Sequence, residues 1–419
     1  MTQHEIKDVS MWEEGQKFYA WSRLNMPVLD AIRERFIEEK PFQNITIAAC
    51  LHITAETANL LMTIKDGGAS VYLCASNPLS TQDRITAYLV KQGINVFAIC
   101  GENISTYFKH CNMVLDHDPH IVIDDGGDLT RLLHTERSEK AKTVIAGLEE
   151  TTTGIVRIKS LEKNKNLLYP ILAINNAMTK HMFDNRYGTG QSTIDSILRS
   201  TNVLIAGKKV VVAGFGMCGR GVSMRARGFG ADVIVTEVNP IRALEAVMEG
   251  YRVMPMTDAV QQADIIITVT GNMDVITKEH YPLMKDYVII ANAGHFNVEL
   301  NLEDLRKIAN DYCVLRSNIE QFTIDEGKRI LVLGEGRLVN LVAAEGHPPS
   351  VMDMSFANQA LGCEYLVKNR DKLPIAVIDV PLEIDTGVAI HKLKSMGVSF
   401  DLLTSTQEKY LNSWEVGTE

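Results

Sequence analysis

Short apolar runs alternate with stretches of helical length through most of the chain. The runs cover residues 45–50, 71–75, 96–100, 121–123, 143–146 and 171–174, and then 210–214, 232–236, 265–268, 287–291, 312–315 and 329–333. Strands that are apolar along their whole length and separated by helices are typical of parallel sheets covered on both faces. The pattern predicts an α/β fold with two doubly wound parallel-sheet domains and a small C-terminal segment.

A glycine-rich turn ends the apolar run at 210–214. Gly214, Gly216 and Gly219 form the pattern G-x-G-x-x-G before a segment of helical character. This spacing permits a tight turn and lets the backbone approach a pyrophosphate at the N-terminus of the next helix. Glu237 follows about twenty residues later, where a carboxylate accepts hydrogen bonds from the adenosine ribose of NAD. The pattern predicts NAD binding in preference to NADP, and Arg242 nearby leaves that preference open.

Polar residues follow nearly every apolar run of the first half. Open parallel sheets bind ligands outside the carboxyl ends of their strands, so these side chains are expected to meet in one polar pocket. Taken singly, each is as readily explained as a turn or cap residue. The residues are His52, Thr54, Glu56, Asp125, Glu150, Thr151, Thr152, Thr153, Asn175, Lys180, Asp184 and Asn185.

Composition and charge narrow the class of protein. The 419 residues are 46% hydrophobic and 22% charged, which is ordinary for a globular chain of two or three domains. A net charge of -10 disfavours nucleic acid and anionic membranes as partners. The polar N-terminus lacks a signal-peptide pattern, and no run approaches the about 20 apolar residues of a membrane span. Seven cysteines without a C-x-x-C pair predict reduced thiols, a cytoplasmic location and no metal site.

Polar motifs in one order along nearly the whole chain carry a family resemblance. They lie at residues 50–58, 77–83, 124–129, 149–154, 178–185, 294–296, 335–341, 346–348 and 355–359. With these motifs the sequence resembles the S-adenosyl-L-homocysteine hydrolase family, in its form with a short C-terminal tail.

The resemblance implies a reaction, and it places the protein in the methyl cycle of one-carbon metabolism. Members of the family reversibly hydrolyse S-adenosyl-L-homocysteine to adenosine and L-homocysteine, and they hold NAD tightly. The NAD oxidises the sugar at C3′, which acidifies the C4′–H bond so that homocysteine leaves from C5′. Water then adds, and the stored hydride returns to the sugar.

The resemblance also implies roles for individual residues. Lys180 and Asp184 match the base at the 3′-hydroxyl, and such a lysine needs burial or neighbours that lower its pKa. Asp125 matches the group that moves the C4′ proton. The remaining catalytic candidates are His52 and His295 near C5′ and Glu150 at the ribose.

Further residues match the family's ligand contacts. A carboxylate at Glu56 favours the 6-amino group of adenine over a 6-oxo purine. The substrate candidates are Thr54, Glu56, Asn175, Asn185, Leu341, Gly346, His347 and Met352. The cofactor candidates are Thr151, Thr152, Thr153, Asn185, Gly214, Gly216, Met217, Cys218, Gly219, Glu237, Val238, Asn239, Arg242, Thr270, Asn272, Ala293, Gly294, His295 and Asn340.

Domain limits and assembly follow from the same resemblance. Residues 1–184 and 347–385 are expected to form the substrate-binding domain, residues 185–346 the Rossmann NAD-binding domain, and residues 386–419 an oligomerisation tail. The expected assembly is a homotetramer, a dimer of dimers. The chain has no tyrosine after Tyr410, whereas longer-tailed members use one to reach the NAD of a neighbouring subunit.

Three alternatives stay open from the sequence. The first is hydrolysis of S-inosyl-L-homocysteine by the same mechanism, and the second is an ordinary dehydrogenase that consumes NAD. The third is a non-catalytic NAD-binding regulator of the same fold.

Overall fold

The structure, a computed structural model, describes residues 2–415 and residue 417. The predicted oligomerisation tail therefore includes three residues, 416, 418 and 419, that lie outside the described part. Among the described residues, no helix combines the length and the apolar character needed to cross a membrane.

The strands confirm an α/β protein built on two sheets. In chain order they are β1 (His4–Glu5), β2 (Thr46–Leu51), β3 (Ser70–Ala75), β4 (Asn95–Phe97), β5 (Ile121–Asp124), β6 (Ala146–Glu149), β7 (Ile171–Ala173), β8 (Lys209–Ala213), β9 (Asp232–Thr236), β10 (Arg252–Val253), β11 (Ile265–Thr268), β12 (Val288–Asn292), β13 (Asp311–Arg316), β14 (Ile319–Thr323), β15 (Arg329–Leu333) and β16 (Val377–Asp379).

The helices cover both faces of the sheets. They are α1 (Trp12–Arg23), α2 (Pro27–Glu39), α3 (Ala55–Asp66), α4 (Asp83–Lys91), α5 (Ile104–Leu115), α6 (Asp128–Leu133), α7 (Thr152–Lys163), α8 (Met178–His181), α9 (Thr189–Thr201), α10 (Met217–Gly228), α11 (Pro240–Met248), α12 (Met256–Gln262), α13 (Leu302–Ile308), α14 (Val339–Val342), α15 (Pro349–Lys368), α16 (Leu382–Ser395) and α17 (Ser405–Leu411). A π-helical turn, Asp184–Gly188, joins the α8 region to α9.

The first sheet has the order β1-β4-β3-β2-β5-β6-β7-β16, and its neighbouring strands are parallel. From β2 the chain first adds β3 and β4 on one side of the sheet and then β5, β6 and β7 on the other side. The loops after β2 and β5 therefore lead away from each other at the carboxyl edge of the sheet. Such a point of divergence is where open α/β sheets form a ligand crevice. His52 and Asp125 follow these two neighbouring strands, and their side chains approach to 3.8 Å at that crevice.

The second sheet has the order β10-β9-β8-β11-β12-β15-β14-β13 and is parallel from β10 to β15. At its far edge, β14 runs antiparallel to both β15 and β13. The predicted doubly wound architecture is confirmed, and the antiparallel edge is an addition. The strand Ile319–Thr323 was missed because polar Glu320 and Gln321 interrupt its apolar pattern.

One predicted strand is shifted. The run at 143–146 is not a strand, because Lys140–Thr143 forms a 3₁₀ turn and the strand is Ala146–Glu149. In helix α16, Asp385 accepts hydrogen bonds from Met178 and Thr179, and Lys392 pairs with buried Asp353 at 2.8 Å.

Candidate active site

One cavity of about 1100 Å³ lies where the loops after strands of both sheets meet. Polar side chains after β2, β5 and β6 face it from the first sheet, and the glycine turn after β8 faces it from the second. The predicted residues that line it are His52, Thr54, Asp125, Glu150, Thr151, Thr152, Thr153, Lys180, Asp184, Asn185, Gly214, Gly216, Met217, Cys218, Glu237, Val238, Arg242, Thr270, Asn272, Ala293, Gly294, His295, Asn340, Leu341, His347 and Met352.

Five predicted residues do not line the cavity. Buried Asn175 lies directly behind it, where its Oδ1 accepts from Asn185 at 3.0 Å. Asn239 caps α11 by accepting from the backbone N–H of Ile241. The other three are Glu56, Gly219 and Gly346.

Lys180 is the centre of a buried charge cluster. Its Nζ lies 3.1 Å from Asp184 Oδ2 and 3.6 Å from Glu150 Oε1, and it donates to Asn185 Oδ1 at 2.8 Å. Lys180 in α8 and Asp184 at the start of the π-helical turn are four residues apart in sequence. This spacing places their side chains on the same side of the helical segment, so they pair directly. A carboxamide and two carboxylates thus surround one ammonium group inside the cavity wall.

The charges of this cluster shift one another. Burial alone lowers the pKa of Lys180, but Asp184 and Glu150 outweigh it, and the net pKa is raised. Burial opposes ionisation of Asp184, yet Lys180 and His347 hold its pKa well below its usual range. Burial raises the pKa of Glu150 to about 8 against the pull of Lys180. The sequence predicted a lowered Lys180 pKa, and the structure differs because two carboxylates face the amine.

Asp125 lies between two histidines. Its Oδ1 is 3.8 Å from His52 Nε2 and 3.6 Å from His295 Nδ1, and it has no hydrogen-bond partner among the described residues. Gly126, at φ +105°, leaves the space that His295 occupies, since a Cβ there would overlap the imidazole. This packing brings His295, which follows β12 of the second sheet, against the carboxyl edge of the first sheet.

Burial sets the protonation of these three groups. It raises the pKa of Asp125. It lowers the pKa of His52 to about 3 and that of His295 to about 4. Both imidazoles are therefore neutral near pH 7, and each has one N–H donor and one acceptor nitrogen to offer a ligand.

The glycine turn has the geometry of an anion site. Gly216 precedes α10, and no described side chain caps the free N–H groups of that helix. A Cβ on Gly216 would meet only Arg242 Nη1, in an ordinary contact of 3.8 Å, whereas a Cβ on Gly219 would overlap the carbonyl oxygen of Gly214. Gly216 thus leaves room for a ligand, and Gly219 lets helix and strand pack closely.

Glu237 supports this turn. Its Oε2 accepts from the N–H of Phe215 at 2.7 Å, and its Oε1 accepts from Val238 and Asn239 at 2.8 Å each. The carboxylate is therefore fixed at the end of β9 and still lines the cavity. Oε2, which accepts only one of these bonds, retains a lone pair that can accept from a ribose hydroxyl.

Sequence reasoning missed three supporting residues. Buried Glu299 accepts from Thr270 N at 2.9 Å and from Gly271 N at 2.7 Å, which fixes a loop of the cavity wall. Ser355 donates to Asp184 Oδ2 at 3.1 Å, and Gln359 donates to Glu150 Oε2. The last two lie in the motif at residues 355–359, but their partners are distant in sequence, so no role was assigned to them.

Comparisons with known proteins agree with this architecture. Residues 185–346 match the family described as S-adenosyl-L-homocysteine hydrolase, NAD binding domain, and residues 3–148 match the family described as S-adenosyl-L-homocysteine hydrolase. The chain is 56% identical over 415 residues to the adenosylhomocysteinase of Aquifex aeolicus, with 99% of each chain covered.

Two further relatives are of similar closeness. The adenosylhomocysteinase of Thermosynechococcus vestitus is 55% identical, with 99% of this chain and 97% of that one covered. The S-inosyl-L-homocysteine hydrolase of Methanocaldococcus jannaschii is 54% identical, with 99% of this chain and 100% of that one covered. The chain therefore belongs to the S-adenosyl-L-homocysteine hydrolase family and carries that family's NAD-binding domain.

Proposed function

We propose that this protein catalyses the reversible hydrolysis of S-adenosyl-L-homocysteine to adenosine and L-homocysteine, with NAD held through the cycle. The observation that carries the proposal is the placement of Lys180, Asp184 and Asp125 in the same cavity as the dinucleotide turn. A dehydrogenase that only oxidises an alcohol has no use for a second acid–base group flanked by two histidines. A non-catalytic regulator has no use for either group.

The residues around the glycine turn fit NAD. The uncapped N-terminus of α10 offers N–H groups and a positive dipole end to a pyrophosphate. Asn340 Oδ1 is buried without a hydrogen-bond partner among the described residues, so an acceptor is available for a ligand N–H. When bound, NAD supplies the hydride acceptor for C3′ of the sugar.

The cluster at Lys180 is assigned to the 3′-hydroxyl. Because its ammonium group is charged, Lys180 has to release one proton before it accepts another. Glu150 Oε1 lies 3.6 Å from Nζ and can accept that proton in its carboxylate form, which its pKa of about 8 populates as the pH rises. Asp184 then keeps the amine oriented through its contact of 3.1 Å.

Asp125 is assigned to the proton at C4′. Its unpartnered Oδ1 and its raised pKa suit a group that alternates between carboxylate and acid. The neutral His52 and His295 rings on either side are assigned to C5′, where a donor assists the leaving sulfur and an acceptor orients water. Water addition then reverses the same proton transfers.

The proposed activity is tested by mixing the purified protein with S-adenosyl-L-homocysteine and no added NAD. We expect free thiol and adenosine to appear in equal amounts, with NADH absorbance never exceeding one equivalent of enzyme. Continuous accumulation of NADH would instead identify a dehydrogenase, and absence of both products would leave a regulator.

The inosyl alternative has a specific observation behind it besides the relative in Methanocaldococcus jannaschii. Burial raises the pKa of Glu56 to about 7, so near neutrality the carboxyl group exists in both forms. The carboxylate accepts from a 6-amino group, whereas the protonated acid donates to a 6-oxo group.

The preference for the adenosyl over the inosyl substrate is therefore expected to rise with pH. Between pH 6 and pH 8 we expect the ratio of the two kcat/KM values to grow about tenfold, the size of one charge-assisted hydrogen bond. Glu56→Gln is the matched control, because its amide donates and accepts at every pH and the ratio should stay constant. A ratio independent of pH in the wild-type protein would remove Glu56 from the purine site.

Two glycine variants test the cofactor assignment. Without NAD, Gly216→Ala is expected to have the same thermal unfolding temperature as the wild-type protein. It is expected to lose bound NAD on gel filtration, because the new methyl group enters the space that the ligand would occupy. Gly219→Ala is expected to lose about 1–3 kcal/mol of stability even without NAD, because the methyl group overlaps backbone. Unimpaired NAD retention by Gly216→Ala would contradict the assignment.

Domain roles and assembly are part of the proposal. We assign substrate binding to residues 1–184 and 347–385, NAD binding to residues 185–346, and subunit contacts to the tail 386–419 of a cytoplasmic homotetramer. The tail supports this, because its described apolar side chains after Ser395 are solvent-exposed in the single chain, with Trp414 92% exposed. Native mass spectrometry of the full chain and of a chain ending at Ser395 is the corresponding measurement.

A further inference from the structure

His347 makes contacts that a residue of the purine wall would not need. Its Nδ1 is hydrogen-bonded to Asp184 Oδ1, and its Nε2 lies 3.0 Å from Asn340 Nδ2 and 3.4 Å from Thr189 Oγ1. A Cβ on Gly188 would collide with the same ring. The imidazole therefore lies between the π-helical turn Asp184–Gly188 and helix α14.

These contacts determine the tautomer. The side-chain nitrogen of Asn340 can only donate, so Nε2 of His347 has to be the acceptor. The single proton of a neutral imidazole then lies on Nδ1 and is donated to Asp184. The opposite oxygen of Asp184 remains for Lys180 and Ser355, each at 3.1 Å.

We propose that His347 is a positioning residue: by donating to one oxygen of Asp184 it fixes the carboxylate and leaves Lys180 paired with the other oxygen only. The inference rests on the proposed function, since it concerns the base at the 3′-hydroxyl. A carboxylate that is already hydrogen-bonded attracts the Lys180 proton less strongly, so the free amine forms at lower pH.

The other groups around the pair are held constant in this comparison. The titratable side chains that face Lys180 or Asp184 from neighbouring elements, besides His347, are Glu150, Asp125, His52, His181 and Cys218. None of them is replaced in the variants below, so a change in pH dependence reports on the Asp184 contact.

The test follows NADH absorbance on mixing the NAD-loaded enzyme with saturating adenosine at a series of pH values. For His347→Ala we expect the rising limb of the plot of NADH-formation rate against pH to move to higher pH by about one unit. At any fixed pH below the midpoint of that limb, the rate is then about tenfold lower. His347→Gln keeps a donor toward Asp184, so its curve should lie near that of the wild type. Ser355→Ala should move the limb in the same direction by less.

Leu341→Ala is the matched control, because it alters the same cavity wall without touching Asp184. It should raise the KM for adenosine and leave the limb in place. If His347→Ala behaves like Leu341→Ala, the proposal is overturned and the imidazole is only a purine contact. If His347→Ala does not fold, an unmoved limb in Ser355→Ala overturns it.

A second readout does not depend on turnover. Nitrogen-15 NMR of histidine-labelled protein, assigned by comparison with His347→Gln, should show the His347 ring with its proton on Nδ1 and Nε2 as the acceptor. A proton on Nε2 overturns the proposal. If the tautomer is as expected but the wild-type enzyme neither reduces NAD with adenosine nor releases thiol, the proposed function fails while the positioning of Asp184 stands.

Discussion

Lys180→Met is expected to lower the rate of NADH formation from bound NAD and adenosine by a factor of about 10³, within the range for loss of a general base. Methionine keeps the length of the side chain and fills the same buried space, so the substrate pocket is retained. What it removes is the amine that stands 3.1 Å from Asp184 and 3.6 Å from Glu150. Stopped-flow absorbance of the first turnover measures this step alone.

The same substitution has a cost in stability. Removing the cation leaves the buried Asp184 carboxylate with His347 and Ser355 as its remaining partners. Breaking one partner from a buried ion pair costs about 3–5 kcal/mol, so thermal unfolding and NAD content have to be measured beside the rate. Lys159→Met, on the exposed face of α7, is the matched control. A folded, NAD-loaded Lys180→Met enzyme with wild-type NADH formation would contradict the base assignment.

Asp125→Asn is expected to separate the two halves of the reaction. NADH formation with adenosine should stay within about threefold of the wild-type rate, while thiol release from S-adenosyl-L-homocysteine falls about 10³-fold, because the amide cannot accept the C4′ proton. The fold should tolerate the change, since Asp125 Oδ1 has no hydrogen-bond partner among the described residues and its ionised form is disfavoured by burial.

Asp116→Asn, on the exposed surface of the same unit, controls for loss of a carboxylate. Both readouts should remain at wild-type values in that variant. If Asp125→Asn slows NADH formation as much as thiol release, Asp125 acts at the 3′-hydroxyl and not at C4′. If it slows neither, another group removes the C4′ proton, and His52 and His295 are the next side chains to replace.

The alternation of apolar runs and helical stretches was sufficient to predict the two parallel sheets. Parallel strands are buried on both faces, so their apolar content is visible without any knowledge of their partners. The strand Ile319–Thr323, which lies between β15 and the edge strand β13, was not visible because polar Glu320 and Gln321 interrupt its apolar pattern. The continuation of α16 through residue 385 depends on contacts of Asp385 and Lys392 with distant segments.

The site was predictable to the extent that strand ends and motif matches mark it. His52, Asp125 and Glu150 follow strands, so the sheet itself explains why they meet. The raised pKa of Lys180 was not predictable, because it depends on how two carboxylates are oriented around the amine. Ser355 and Gln359 were missed for a related reason, since their partners lie about two hundred residues away in sequence.

The carboxylate of Glu299 bears on how the cofactor enters the cavity. It satisfies the backbone N–H groups of Thr270 and Gly271 from within the chain, so the shape of this loop does not depend on a bond to the dinucleotide. We therefore expect little conformational entropy to be lost in the loop when NAD enters, and the rate of recombination of apoenzyme with NAD to be set by encounter and not by ordering of the loop.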